Sequence, residues 1–125
     1  MKRILLIEDE MRLHKVFEEL FRAENFELIS AYDGQSGINM AEERMPDLII
    51  LDLILPRKNG FEVLEEFKKN PNLEKTPVIV LTNLESSQDI ERALSLGAYT
   101  YLVKANYSLE SIFEKIKEIF DKYEH

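Results

Sequence analysis

Chemically active side chains follow directly on four apolar runs of this chain. An acidic pair, Glu8 and Asp9, follows the first run, and Asp52 follows a run of Leu and Ile. Thr82 and Lys104 stand in the same relation to two later runs. Three carboxylates close together repel one another and keep their protons unless a cation lies among them. These groups offer only oxygen ligands, which favours a hard cation, and a small site that retains waters favours Mg²⁺ over Ca²⁺.

The same side chains would also equip the chain to accept a phosphoryl group. A metal ion and the Lys104 ammonium can stabilise phosphoryl oxygens, and the Thr82 hydroxyl can donate to one of them. A carboxylate can act as the nucleophile and form an acyl phosphate. Asp52 is the best candidate because it stands alone, whereas Glu8 and Asp9 form the metal pair. Phosphorylation would change a neutral site to a charge of about −1, toward which Lys104 and Thr82 could move as a local switch.

The elements that must position these residues are predicted from hydrophobic patterning. Five apolar runs, mostly Ile, Leu and Val without polar alternation, are typical of parallel strands buried on both faces: 3–7, 26–31, 48–51, 78–81 and 99–103. Segments with helical periodicity follow them: 11–22, 35–44, 61–69, 86–96 and 108–123. This alternation predicts an α/β fold with a parallel sheet, right-handed crossovers and helices on both faces. Ligands bind beyond the carboxyl ends of such strands, so the active side chains converge if strands one, three, four and five are neighbours.

Length and composition narrow the class of protein. The chain has 125 residues with 24 acidic and 16 basic side chains, a net charge of −8, which predicts one domain over 1–125. The acidic balance argues against a general nucleic-acid binder and against docking on an anionic membrane. The lack of cysteine excludes disulfides, thiolate metal sites and a cysteine nucleophile. No apolar run approaches a membrane span or a signal peptide, so a cytoplasmic location is expected.

The chain resembles the receiver domain of two-component response regulators over essentially its whole length. The resemblance rests on the stretches ILLIEDE, SAYDGQSGINMAEERMPDLIILDLILPRKNGFEVL, TPVIVLTN and LGAYTYLVKA. An acidic pair, DLILPRKNG, a Thr ending strand four and a Lys ending strand five, all in this order, form a specific combination. The resemblance implies a doubly wound, flavodoxin-like (βα)5 fold with sheet order 2-1-3-4-5. It favours a stand-alone receiver, because the sequence stops soon after the fifth helix.

The resemblance also implies a role for each residue of the acidic group. Asp52 would accept the phosphoryl group from a histidine kinase or a histidine phosphotransfer protein. Glu8, Asp9 and Asp52 would hold Mg²⁺ together with the backbone carbonyl of Ile54. Glu8 stands where the family often has Asp, so its longer side chain is expected to act through a water molecule.

The remaining site residues would act as a switch. Thr82 and Lys104 would bind the phosphoryl oxygens, and Tyr101 matches the aromatic switch residue that turns inward as Thr82 moves. The resulting change would alter binding of a downstream protein at the face formed by helix four, strand five and helix five, with the chain a monomer or a weak phosphorylation-dependent dimer. Three further tyrosines are expected on or near this face: Tyr99, Tyr107 and Tyr123.

Two departures from the family pattern give further expectations. Ala105 stands where the family usually has Pro after the lysine, and a cis bond before a residue other than Pro costs ~3 kcal/mol, so the Lys104–Ala105 bond is predicted to be trans. Ile54 and Leu84 flank the phosphoryl position and cannot orient an attacking water. We therefore expect a long-lived phosphoryl group.

Each site residue taken alone has a simpler interpretation. Asp9 could cap the first helix, Thr82 could be an ordinary strand-end hydroxyl, Lys104 a surface lysine and Tyr101 a core residue. Their joint placement at the strand ends favours the functional interpretation. His14 is predicted on the exposed side of the first helix, and with Met11 and Arg57 it is a candidate kinase contact; His125 is terminal.

Several functions remain open on the sequence alone. The leading interpretation is a signalling switch that transfers a phosphoryl group to its own Asp52 and has at most autophosphatase activity. One alternative is a receiver taken from a longer regulator with an output domain, and another is a pseudo-receiver adaptor that is not phosphorylated. A metal-dependent phosphohydrolase is disfavoured, because Ile54, two residues after Asp52, cannot act as the general acid or base that such an enzyme needs.

Overall fold

The computed structural model describes residues 1–123 and contains one five-stranded parallel sheet in the order β2-β1-β3-β4-β5. The strands are β1 (Arg3–Ile7), β2 (Glu27–Ala31), β3 (Leu48–Leu51), β4 (Val78–Thr82) and β5 (Thr100–Val103). The helices are α1 (Met11–Ala23), α2 (Gly34–Arg44), α3 (Gly60–Lys69), α4 (Ser87–Ser95) and α5 (Leu109–Tyr123), with a short 3₁₀ turn, η1 (Lys104–Asn106). The predicted α/β fold and strand order are confirmed, and the predicted boundaries lie within one residue of the observed ones.

The sheet separates two hydrophobic cores. Successive residues of a strand point to opposite faces, so Leu5 and Ile7 of β1 pack toward α2, α3 and α4. Ile4 and Leu6 pack on the other face, toward α1 and α5. The apolar runs lack polar alternation because both faces of the central strands are covered by helices.

Local side-chain bonds fix where the helices begin and end. Asp33 caps α2, its Oδ1 accepting from the Ser36 N–H at 2.8 Å and its Oδ2 from the Ser36 hydroxyl at 2.9 Å. Asn59 and Glu62 form a reciprocal capping box at α3. Gly97 follows α4 with φ +104°, the left-handed conformation that commonly ends a helix.

Strand register brings the predicted site residues to one edge of the sheet. Ile7 at the end of β1 pairs with Leu51 at the end of β3. The residues that follow them, Glu8 and Asp52, therefore lie side by side. In this order β1 lies between β2 and β3, so the direction of the strand connections reverses here, and ligands bind at such a point in sheets of this kind.

His14 is not on the exposed side of α1, as the sequence analysis predicted, but is buried with 3% of its surface exposed. The buried stripe of α1 is His14, Phe17 and Phe21. The apolar pattern of this helix predicts a core face of Leu13, Val16, Phe17 and Leu20; of these Phe17 is buried and the other three are half-buried. A histidine can be buried when both ring nitrogens have partners, and both have them here. His14 is therefore not a surface contact residue, whereas Met11 and Arg57 are exposed, and His125 lies outside the described residues.

Candidate functional site

Three carboxylates meet at the carboxyl edge of the sheet. Glu8, Asp9 and Asp52 each place one oxygen so that these atoms all lie within 4.8 Å of one another. Glu8 and Asp52 are buried, 2% and 5% exposed, while Asp9 is exposed. Grouped carboxylate oxygens, one of them open to solvent, fit a hard divalent cation that keeps some of its waters.

Lys104 supplies a positive charge inside this acidic cluster. Its Nζ donates to Glu8 Oε1 at 2.6 Å and to Asp52 Oδ2 at 2.9 Å. The lysine begins η1 directly after β5, at the edge of the sheet where the three carboxylates lie. The Lys104–Ala105 peptide bond is trans, as predicted.

Burial and charge both shift the protonation of these groups. The pKa of Glu8 is raised to about 7, chiefly by burial and in smaller part by the Asp52 charge, against the opposing effect of the hydrogen bonds from Lys104 and the Glu10 N–H. Burial alone would lower the pKa of Lys104, but its hydrogen bonds to Glu8 and Asp52 outweigh this and hold that pKa above its usual value. The ammonium therefore stays charged, and an added cation would favour the ionised form of Glu8.

Asp52 is held by its own loop as well as by Lys104. Its Oδ1 accepts from the Ile54 N–H at 3.1 Å, while Oδ2 accepts from Lys104. At the start of α3, Gly60 packs so closely that an added Cβ would lie 2.6 Å from the Asp52 carbonyl oxygen. The side chain of Ile54 is exposed and offers no acid or base.

Helix α2 supports the same β3–α3 loop from the other side. The Gly34 N–H donates to the Pro56 carbonyl at 3.3 Å. An added Cβ on Gly34 would lie 1.9 Å from the Lys58 carbonyl oxygen, so only glycine permits this approach. The loop that follows Asp52 is thus packed between two helix starts.

Thr82 is fully buried at the end of β4, and its Oγ1 makes no hydrogen bond. Among the buried side-chain polar atoms of residues 1–123, it is the one left without a partner. Buried polar groups are nearly always paired, and an unpaired one costs stability. The site therefore contains an unused hydrogen-bond donor at the same edge as Asp52.

Tyr101 connects β5 to the loop that follows Thr82. Its hydroxyl donates to the Leu84 carbonyl at 2.7 Å, and its half-buried ring packs against the core on the α2–α4 face. Burial raises the pKa of the Tyr101 phenol, and the charges of Asp89 and Asp52 add to the effect. The phenol therefore remains protonated and able to donate.

The alternative role considered for Asp9 is not seen. The N-cap of α1 is Glu10, which makes no side-chain capping bond. The Glu10 N–H instead donates to Glu8 Oε2 at 3.0 Å. Asp9 is left free of the helix start and available to a cation.

Sequence reasoning missed the residue that fastens the β1–α1 loop. His14 Nε2 lies 2.7 Å from the Glu8 carbonyl oxygen, and Nδ1 lies 2.8 Å from Ser30 Oγ. Burial lowers the pKa of His14, with the hydrogen bond to Glu8 opposing this. The only signal in the sequence is the spacing of His14 from Phe17 and Phe21 along the helix.

The proposed binding face carries exposed aromatic groups. Tyr99, Tyr107 and Tyr123 are all exposed, and the rings of Tyr99 and Tyr123 meet edge to face at 6.0 Å.

The helices in residues 1–123 are too short or too polar to cross a membrane.

Comparison with known proteins places the chain among signalling domains. A family model described as the response regulator receiver domain matches residues 4–117. The response regulator ArlR of Staphylococcus aureus is 35% identical over 119 residues, 95% of this chain; the chain spans about half, 52%, of that relative.

Solved structures agree in fold. The Mn²⁺-bound response regulator Rcp1 is 34% identical with a TM-score of 0.80, covering 95% of this chain and 91% of that one. A CheY-like receiver domain protein from Methanospirillum hungatei is 27% identical with a TM-score of 0.91, covering 99% and 97%.

Proposed function

Since the chain belongs to the response regulator receiver family of two-component systems, we propose that Asp52 is its phosphoacceptor. The observation that carries this proposal is the position of the Asp52 carboxylate. It lies in a buried acidic cluster, held by Lys104, at the edge where the unpaired Thr82 hydroxyl ends β4.

The proposed reaction is transfer of a phosphoryl group from a phosphohistidine of a histidine kinase or a histidine phosphotransfer protein. An Asp52 carboxylate oxygen attacks phosphorus, a P–O bond forms, and the P–N bond to the donor imidazole breaks. The departing nitrogen takes up a proton. Lys104, which already contacts Asp52, donates to the phosphoryl oxygens as charge develops in the transition state, and the Thr82 hydroxyl turns to donate to the phosphoryl group once it is bound.

Glu8, Asp9 and Asp52 would hold Mg²⁺, together with the backbone carbonyl of Ile54. A bound Mg²⁺ neutralises charge on the phosphoryl oxygens. Glu8 already accepts hydrogen bonds at both carboxylate oxygens, from Lys104 and from the Glu10 N–H. This supports a role through water for Glu8, and Asp9 is the carboxylate free to bind directly.

Intact mass with a small acyl-phosphate donor and Mg²⁺ tests the proposal. We expect a gain of one phosphoryl group that is lost in Asp52→Asn. The matched control is Asp47→Asn, which changes an exposed carboxylate beside the opposite end of β3 and should still gain mass. No gain in the unaltered chain would refute phosphorylation and leave the adaptor interpretation.

The phosphoryl group is proposed to be long-lived. Ile54 and Leu84 place apolar side chains on the two loops beside Asp52, so neither can orient a water for attack. Replacing Ile54 by Asn should shorten the lifetime of the acyl phosphate, whereas Ile54→Val should not, because only Asn brings a polar group. Decay of the phosphorylated mass after removal of the donor measures this, and loss within seconds in the unaltered chain would refute it.

The phosphorylated domain is proposed to act as a switch on a downstream protein. Thr82 turns its hydroxyl toward the phosphoryl oxygens, and the following loop moves with it. Tyr101 follows because its hydroxyl is bonded to Leu84 in that loop. The face formed by α4, β5 and α5 changes in consequence, and partner binding or weak dimerisation changes with it.

A further inference from the structure

We infer that His14 is a positioning residue for the metal site: by fixing the Glu8 carbonyl it sets the direction in which Asp9 leaves β1. The inference rests on the proposed function, since it concerns the same cation site. The His14 ring forms no hydrogen bond with the side chains that would bind the cation or the phosphoryl group; its partners are Ser30 and the Glu8 main-chain carbonyl. It acts through the backbone of the loop that carries two of them.

The hydrogen bonds of the imidazole define which nitrogen carries the proton. The Glu8 carbonyl can only accept, so His14 Nε2 is the donor in the 2.7 Å bond. In the neutral ring Nδ1 is then an acceptor, and it receives the Ser30 hydroxyl at 2.8 Å. The Tyr32 ring lies against the imidazole with centroids 4.3 Å apart, which fixes the plane of the ring.

His14 completes the restraint of the Glu8 main chain. The Glu8 N–H donates to the Ala31 carbonyl of β2 at 3.0 Å, and the Glu8 carbonyl accepts from His14. The Glu8 carbonyl belongs to the same planar peptide group as the Asp9 N–H. Fixing that carbonyl therefore fixes the peptide plane from which Asp9 continues.

Asp9 depends on this restraint more than Glu8 does. The Glu8 carboxylate is held by Lys104 and by the Glu10 N–H. In the described part of the chain, the Asp9 side chain makes no hydrogen bond or ion pair. Helix α1 lacks a side-chain cap as well, so within residues 1–123 His14 is the side chain that holds the main-chain carbonyl preceding Asp9.

Two substitutions separate this role from simple packing. The amide nitrogen of Gln lies at about the position of His Nε2, whereas the shorter Asn can reach only the position of Nδ1. His14→Gln therefore keeps a donor for Glu8, and His14→Asn keeps only the contact with Ser30. Ser30→Ala is the complementary control, because it removes the Nδ1 partner and leaves the bond to Glu8.

The measurement is the Mg²⁺ dissociation constant, obtained from a titration with the metal alone and followed by backbone amide resonances. We expect His14→Asn to weaken Mg²⁺ binding about tenfold, the lower range for residues that orient metal ligands. His14→Gln and Ser30→Ala should bind Mg²⁺ nearly as the unaltered chain does. A merely structural histidine would lower thermal stability in these variants without separating their Mg²⁺ affinities.

The unaltered chain provides a second readout that does not depend on a folded variant. The Nε2 proton of His14 should give a slowly exchanging resonance that shifts when Mg²⁺ is added. Equal Mg²⁺ affinity in His14→Asn and the unaltered chain, or an Nε2 resonance that does not shift with Mg²⁺, would overturn the role inferred for His14 and leave the proposed metal site standing. If the unaltered chain bound no Mg²⁺, the proposed metal site would fail and this inference with it.

Discussion

At the scale of single residues, Thr82 is the least satisfied group of the unphosphorylated site. Its hydroxyl is buried without a partner, whereas Glu8 and Asp52 both accept hydrogen bonds from Lys104. A buried hydroxyl that finds a hydrogen bond only after phosphorylation favours the phosphorylated form. The energetic cost in the resting state is therefore part of the proposed switch.

Replacing Thr82 by Val tests this directly, because Val keeps the shape of the side chain and removes the hydroxyl. We expect the unphosphorylated chain to gain on the order of 1 kcal/mol in its free energy of unfolding, measured with urea. Phosphorylation should still occur at Asp52, but the amide resonances of α4 should no longer respond to it. Thr82→Ser, which keeps the hydroxyl, is the control, and a Val variant less stable than the Ser variant would contradict this account.

The sequence alone predicted which charged residues gather at this site, but it did not predict the burial of His14 or the missing partner of Thr82. Asp52, Lys104 and the acidic pair were predicted because a strand end is readable from the sequence and their chemistry is distinctive. The burial of His14 was not predicted, because histidine occurs both in solvent and in hydrogen-bonded interiors. The missing partner of Thr82 depends on every neighbouring atom and has no local signal.

At the scale of elements, the start of α2 shows how local sequence holds the site together. Asp33 caps the helix through Ser36, and Gly34 then touches the loop that follows Asp52. Hydrogen bonds from Ser36 lower the pKa of Asp33, with the charge of Arg57 adding to the effect. The ionised cap therefore stabilises the folded chain more than the protonated form does.

The Asp33 cap predicts a specific pH dependence. Since the folded-state pKa of Asp33 lies below the usual value for an aspartate, the added stability is present above that usual value and is lost as the pH falls through the folded-state pKa. Asp33→Ala should lower the free energy of unfolding by about 1 kcal/mol at neutral pH. Asp33→Asn keeps the cap but not the titration, so its stability should lack this acid-dependent step in urea unfolding between neutral and acid pH. An Asp33→Ala variant as stable as Asp33→Asn at neutral pH would contradict this.

Elements were predictable because periodicity is local, but their arrangement was not. The apolar runs and the spacing of Phe61, Leu64 and Phe67 mark strands and helices without any tertiary information. The pairing of β1 with both β2 and β3 joins segments far apart in sequence, and only the family resemblance supplied it. Helix α1 shows a further limit of sequence patterns. Its apolar residues fit more than one orientation of the helix about its axis, and in the observed orientation His14 faces the interior.

At the scale of the whole molecule, the net charge of −8 and the site act on stability together. Three of the 24 acidic side chains are gathered where they repel one another, and Lys104 partly balances them through its bonds to Glu8 and Asp52. A cation that binds only the folded chain stabilises it by mass action. Metal binding and global stability are therefore linked.

Mg²⁺ should raise the free energy of unfolding of the unaltered chain. At about a hundred times its dissociation constant the gain should be about 2.7 kcal/mol, measured by urea unfolding at constant ionic strength. Asp9→Asn should abolish most of this gain while leaving the metal-free stability nearly unchanged, because the Asp9 side chain is exposed and makes no bond within residues 1–123. An equal gain in both proteins would place the cation elsewhere.

The hydrogen bonds from Lys104 to Glu8 and Asp52 also bear on the stage of folding at which the site is complete. The ammonium meets Glu8 across 96 positions and Asp52 across 52 positions of the sequence. Contacts this distant in sequence form late, after loop closure has brought the strands together. An incompletely folded or truncated chain would therefore present the proposed acceptor, Asp52, without its counter-ion, and on the proposed function only molecules in which β1 and β5 have both docked would accept a phosphoryl group.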